Sequence, residues 1–133
     1  MTTPPAGRPN KKALPHIDYV LAKRRVLRDY RRGLLTRLDV CDAHPELLRV
    51  ANNYGDKTSR NCPICADEDR EEPLYEVNYL FGDGFGKTNG RPVTEFNQLK
   101  NADKTGKAYH RYLVEVCVHC KWNFLIRRED RGS

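Results

Sequence analysis

Tyr109-His-Arg-Tyr-Leu-Val-Glu-Val-Cys-Val-His-Cys-Lys-Trp-Asn-Phe-Leu-Ile126 is the stretch on which the fold turns. Its two ends, Tyr109–Val116 and Trp122–Ile126, are rich in aromatic and β-branched residues and read as strands. Between them, Cys117-Val-His-Cys120 sets two thiols three positions apart, so that both reach one ion from the same side of a tight turn. A second pair, Cys62-Pro-Ile-Cys65, precedes another alternating run, in which Leu74, Glu76, Asn78 and Leu80 interleave with Tyr75, Val77, Tyr79 and Phe81. Two such turns joined by a small antiparallel sheet form a four-cysteine site, the arrangement of a zinc ribbon. The 51 residues between Cys65 and Cys117 exceed the roughly 15–20 of the compact pattern. An excursion rich in glycine, residues 82–107, has to absorb the excess.

The alternative for the cysteines is redox chemistry or buried thiols. A thioredoxin-like site expects one Cys-x-x-Cys in a strand-to-helix turn, and here there are two in strand–turn–strand settings. Structural Zn2+ at Cys62, Cys65, Cys117 and Cys120 is therefore the expectation, because four thiolates close the shell and leave no open catalytic position. The fifth cysteine, Cys41, forms a Cys-x-x-His with His44, but no further cysteine remains to complete a second site. A buried thiol and a helix-cap histidine account for that pair.

The chain has 133 residues, 38% of them hydrophobic and 32% charged. That suits one domain with appendages and excludes a large multi-domain enzyme. No apolar run is long enough for a membrane span, and MTTPPAGRPNKK lacks the apolar core of a signal peptide. A cytoplasmic protein without membrane contact is expected.

The formal charge is +6, and it is segregated. Residues 1–40 hold ten Lys/Arg against three Asp/Glu, whereas residues 41–133 hold fourteen against fifteen. Residues 1–15, proline-rich and basic, read as a flexible tail. From Ile17 the apolar residues recur at three- and four-residue steps, predicting a helix from about Asp18 to Leu38 with Gly33 as its weak point. Lys23, Arg24, Arg25, Arg28, Arg31 and Arg32, with Arg37, form a basic ridge on its other face. Pro45 and Glu46 open a second helix that Asn53 and Gly55 close. The fold class expected is α+β: a helical hairpin over 16–56, a zinc-ribbon-like unit over 57–128, and a short tail over 129–133. The acidic stretch Asp67–Glu72 reads as a mobile loop.

Three stretches together carry a resemblance: Asp39-Val-Cys-Asp-Ala-His-Pro-Glu-Leu-Leu-Arg-Val-Ala51, Cys62-Pro-Ile-Cys65, and Val114-Glu-Val-Cys-Val-His-Cys-Lys-Trp-Asn123. Over roughly residues 17–128 the chain resembles a family of short actinobacterial proteins of unknown function with two Cys-x-x-Cys pairs. The resemblance implies a cytoplasmic protein of high-GC Gram-positive bacteria and brings no activity. It also implies that Cys41, Asp42 and His44 belong to a signature that zinc binding does not explain.

Positive charge favours acidic partners. The leading expectation is a non-enzymatic adaptor that contacts a nucleic-acid-handling machine, RNA polymerase or the ribosome. Its ridge would touch RNA or DNA phosphates, and Tyr75, Tyr79 and Trp122, if exposed, would stack on bases. The alternative is a protein–protein module in which the basic helix meets an acidic partner or its own acidic loop. Catalysis on a small-molecule substrate is not expected. Gly82-Asp-Gly-Phe-Gly-Lys-Thr88 ends like a phosphate loop, but Phe81 stands where that pattern requires its first glycine.

Overall fold

The strongest β-formers of the sequence lie in three neighbouring strands. In the computed structural model, which describes residues 16–132, β5 (Tyr109–Val116) is central. On one edge it pairs antiparallel with β6 (Asn123–Arg131) and on the other with β3 (Pro73–Phe81). Two outer strands complete the main sheet, β1 (His16–Asp18) beside β6 and β2 (Asp56–Asn61) beside β3, in the order β1-β6-β5-β3-β2. A two-residue strand, β4 (Arg91–Pro92), pairs with β3 further along. The class is α+β with an antiparallel sheet, as expected. The basic tail expected over 1–15 lies outside the described residues.

The helices depart from the hairpin outline. In place of one helix to Leu38 there are α1 (Val20–Arg31) and α2 (Arg37–Val40), divided at Gly33. Gly33 sits at φ +80, a left-handed conformation that ends a helix at least cost in glycine. The chain restarts with a capping box, the Thr36 hydroxyl accepting from Asp39 N–H and the Asp39 carboxylate accepting from Thr36 N–H. The second helix, α3 (Pro45–Tyr54), has Pro45 in its first turn and Gly55 as its C-cap, as predicted.

Side-chain alternation along a strand sends neighbours to opposite faces, and the two long helices take opposite faces of the sheet. Leu47, Leu48, Val50 and Ala51 of α3 pack with Tyr75, Val77, Tyr79, Val114 and Val116. Leu27 of α1 joins Leu74, Trp122 and the five cysteines instead, with Val26, Tyr30 and Phe124 against that cluster. A third cluster, Leu80, Ala102 and Tyr109 with Phe85, Val93 and Leu99, closes the far end. There the glycine-rich excursion is ordered: a 3-10 turn over Asp83–Thr88, then β4, then α5 (Gln98–Lys104) folded back on the sheet.

The expected tail over 129–133 is largely strand, since β6 runs to Arg131. Ion pairs hold its charged end: Arg111 of β5 and Arg131 of β6 itself flank the buried Glu129 at 3.1 and 3.0 Å, and Arg131 Nη2 reaches Asp103 of α5 at 2.8 Å. The Arg131 guanidinium holds the Asp103 carboxyl below the usual carboxylate range, and the Tyr109 hydroxyl also donates to it. A depressed folded value means that this pair stabilises the chain above the ordinary carboxylate pKa of about 3.9 and fails as pH falls through the folded value. Asp103 is 40% exposed, so solvent screening limits the contribution to about 0.5–1 kcal/mol. Urea unfolding of D103N against the parent should show that deficit at pH 7 and a shrinking one as pH is lowered towards the folded value; a deficit that does not change with pH would place its origin outside the ion pair.

Candidate metal centre

Both Cys-x-x-Cys turns sit at one end of the sheet because β3 and β5 run antiparallel, with Tyr75 opposite Val116. The 51-residue separation is thereby taken up by two paired strands and the excursion at the far end. The turns differ in build. Cys62 is the N-cap of a one-turn helix, α4 (Pro63–Asp67), with Pro63 in its first turn, so the first knuckle lies between β2 and a helix, which corrects the strand–turn–strand setting expected for it. The second is the β5–β6 turn, closed by Cys117 N–H on Trp122 C=O at 2.8 Å and Lys121 N–H on Cys117 C=O at 3.0 Å. Lys121 takes a left-handed φ of +76 there.

In each knuckle backbone donors point at sulfur. Cys65 N–H donates to Cys62 Sγ at 3.5 Å, and Cys120 N–H to Cys117 Sγ at 3.4 Å, as does Trp122 N–H to Cys120 Sγ at 3.4 Å. Donors in this arrangement favour thiolates. The sulfurs of Cys62, Cys65, Cys117 and Cys120 all lie within 4.8 Å of one another, and all four residues are buried. Cys62 and Cys120 are 3.5 Å apart and Cys65 and Cys117 3.7 Å, close to the roughly 3.8 Å edge of a tetrahedron with metal–sulfur bonds of about 2.3 Å. The donor set is that of a soft, tetrahedral cation.

The thiols oppose one another electrostatically. Donation from the Cys117 and Cys62 thiols holds Cys120 far below the ordinary thiol value, at about 2. Burial pushes Cys65 up to about 12, and the bond with Cys117 raises Cys62 as well. One charge in this pocket therefore disfavours the next, and a divalent cation is what permits several thiolates together. These four cysteines are positioned to bind a metal ion.

Sequence reasoning missed the polar clamp beneath the site. Glu115 is fully buried; Lys23 Nζ lies 2.6 Å from its Oε2, Arg60 Nη1 donates to Oε1 at 2.7 Å, and Trp122 Nε1 donates to Oε2 at 2.9 Å. One carboxylate thus ties α1, β2 and the second knuckle together. Its glutamate stands at an alternating strand position, where nothing local marks it as buried. Trp122 is 1% exposed, stacked on Phe124 at 5.9 Å, and Tyr75 and Tyr79 are half-buried under α3. The expectation of exposed stacking aromatics at these three positions is corrected accordingly.

The basic ridge divides. Lys23 is drawn to Glu115, and Arg31 Nε reaches Asp67 at 2.8 Å, as Arg37 Nε reaches Glu68 at 2.8 Å. The acidic stretch read as a mobile loop is in these places an ion-paired continuation of α4, and the Arg37 guanidinium holds Glu68 below the usual carboxylate range. Arg24, Arg25 and Arg28 stay exposed on α1, as does Arg32 at its C-cap; Arg28 lies 4.0 Å from Asp29. His44 caps α3, its Nδ1 accepting from Glu46 N–H at 3.0 Å, and His119 is exposed. Cys41 lies buried beside the four-thiol group.

Residues 11–132 match the model of a family of unknown function (DUF5318). The chain belongs to that family. An uncharacterised protein of Mycobacterium tuberculosis and one of Mycobacterium bovis are each 34% identical over 117 residues, spanning 88% of this chain and 82% of theirs. The resemblance drawn from the cysteine pairs and the Asp39–Ala51 segment is thereby established. No solved structure matches the chain. Among the described residues no helix is long and apolar enough to cross a membrane.

Proposed function

We propose that this member of the family is a non-enzymatic zinc-binding adaptor. One structural zinc ion, held by Cys62, Cys65, Cys117 and Cys120, fixes the knuckle end, and α1 presents arginines to a nucleic-acid-handling machine such as RNA polymerase or the ribosome. The carrying observation is the arginine face itself. After Lys23 and Arg31 are taken by Glu115 and Asp67, Arg24, Arg25 and Arg28 remain exposed on a single 12-residue helix and Arg32 at its C-cap. A helix whose acidic neighbours pair with other side chains retains its charge for an external anion, and phosphate is the anion that guanidinium matches bidentately.

The test is binding of a fluorescent single-stranded RNA and a DNA duplex by anisotropy as salt is raised. Four phosphate contacts give a log–log slope near −3 to −4 and a marked loss of affinity between about 50 and 200 mM salt. The variant R24E/R25E/R28E/R32E should bind at least tenfold more weakly with a flattened slope. Affinity indifferent to salt, or unaltered in the variant, sinks the phosphate contact.

A specific observation favours a second reading, a protein–protein module. Leu21, Leu34 and Leu38 are 71%, 70% and 81% exposed near the same arginines, and an apolar surface beside basic residues suits an acidic protein partner. Pulldown from a native lysate with and without nuclease separates the two. Partners that survive nuclease favour the protein surface, and partners lost with it favour the arginine face.

A further inference from the structure

Cys41 is the one cysteine outside the four-thiol group, yet its Sγ lies 3.6 Å from that of Cys120, as close as the paired sulfurs within the group. The neighbourhood is built. Cys41 forms an isolated antiparallel bridge with Trp122, and its N–H donates to Arg37 C=O at 2.8 Å. On either side, Ala43 N–H donates to Lys121 C=O at 3.0 Å and Asn123 Nδ2 to the Asp42 carboxylate at 3.0 Å. The cap accounts for His44 and the tether for Asp42, which leaves the thiol of this turn unassigned. Access is graded as well: Cys41 and Cys120 keep 4% and 5% exposure, whereas Cys62, Cys65 and Cys117 have none.

We propose that Cys41 is the resolving thiol of an oxidation-sensitive metal centre, closing a disulfide with Cys120 when a hydroperoxide reaches the site. The inference rests on the zinc reading above. The Cys120 thiolate attacks the peroxide O–O bond, giving Cys120 sulfenic acid and an alkoxide or hydroxide that takes a proton from solvent. The Cys41 sulfur then attacks the Cys120 sulfur, the S–O bond breaks, and the Cys41 proton leaves with the hydroxyl as water. The two sulfurs lose two electrons and the peroxide gains them. Cys62 is equally near Cys120, but it has to leave the metal to form that bond, whereas Cys41 is no ligand and attacks the oxidised Cys120 without breaking a metal–sulfur bond of its own. Reaching the disulfide length of about 2.05 Å requires the two sulfurs to close by roughly 1.5 Å. Zinc loses one of four ligands and is released, while the new bond staples the Val40–His44 turn to the second knuckle.

The experiment uses the full chain with its zinc content measured first, then hydrogen peroxide, a zinc-sensitive dye, and peptide mapping under non-reducing conditions. The parent should release its zinc with a Cys41–Cys120 cross-linked peptide. Cys41→Ser should hold zinc to the same stoichiometry, release it at least fivefold more slowly and accumulate Cys120 sulfenic acid that dimedone traps; Cys41→Ala serves if the serine variant does not fold. Equal release rates, or a parent cross-link confined to Cys62, Cys65, Cys117 and Cys120, overturn the role of Cys41. A parent chain that takes up no zinc overturns the metal reading, and this proposal with it.

Discussion

Chelating the metal, or replacing Cys117 by Ser, is expected to unfold the knuckle end of this protein together with helix α1. Among the described residues, the cluster there consists of the four thiols, Cys41 and five other buried residues, Leu27, Val40, Ile64, Leu74 and Trp122. A structural zinc contributes an apparent ~10–16 kcal/mol at neutral pH, comparable with the whole stability of a typical domain, about 5–15 kcal/mol. Without the ion, several thiols that favour charge only in its presence must be buried as neutral, crowded groups. From the sequence, the helical segment could outlast the strands; the structure couples them, since Leu27 packs in this cluster and Lys23 in the Glu115 clamp. Far-UV circular dichroism should lose both helix and strand signal on chelation, and amide exchange should lose protection over residues 20–31. A spectrum unmoved by a strong chelator contradicts this account of the core.

The second large effect is expected at Trp122. Trp122→Ala removes the largest fully buried side chain, its stack on Phe124 and a donor to Glu115. Truncating a buried aromatic costs about 3–5 kcal/mol. Trp122→Phe keeps most of the volume and loses the indole N–H, so it should fall short of alanine by a wide margin and still cost about 1–3 kcal/mol. Pairing each with Glu115→Gln in a double-mutant cycle should return a coupling above about 1 kcal/mol, because the two residues share one network. Urea unfolding of the metal-loaded protein measures all of these. A Trp122→Ala loss below about 1 kcal/mol would mean that the tryptophan is not the keystone of this end.

The parts legible in the sequence were those whose signal is local. Cys62, Cys65, Cys117 and Cys120 announce themselves by spacing, and β3 and β5 by alternation of apolar residues, because one ion and one buried face fix those patterns. The outer strands carry no such pattern. His16–Asp18 and Asp56–Asn61 are edge strands of mainly polar, exposed residues, and the end of β6, Arg-Arg-Glu-Asp-Arg131, is held by partners on α5 and β5 that only folding brings near. The opposite placement of α1 and α3 was illegible for the same reason. Amphipathicity says that a helix has a buried face and says nothing of which side of the sheet receives it. Glu115 and Cys41 were hidden most deeply, since a buried carboxylate needs Lys23, Arg60 and Trp122 from three distant segments, and the fifth thiol meets Cys120 across 79 residues.

The central claim is that four thiolates hold one zinc ion, and metal content per chain tests it most directly. Elemental analysis and native mass spectrometry of protein purified without added metal should give one zinc per chain, lost in Cys65→Ser and in Cys117→Ser and retained in Cys41→Ser. A chain that carries no metal, with Cys62, Cys65, Cys117 and Cys120 joined as disulfides, or one that carries iron in zinc's place, contradicts the account.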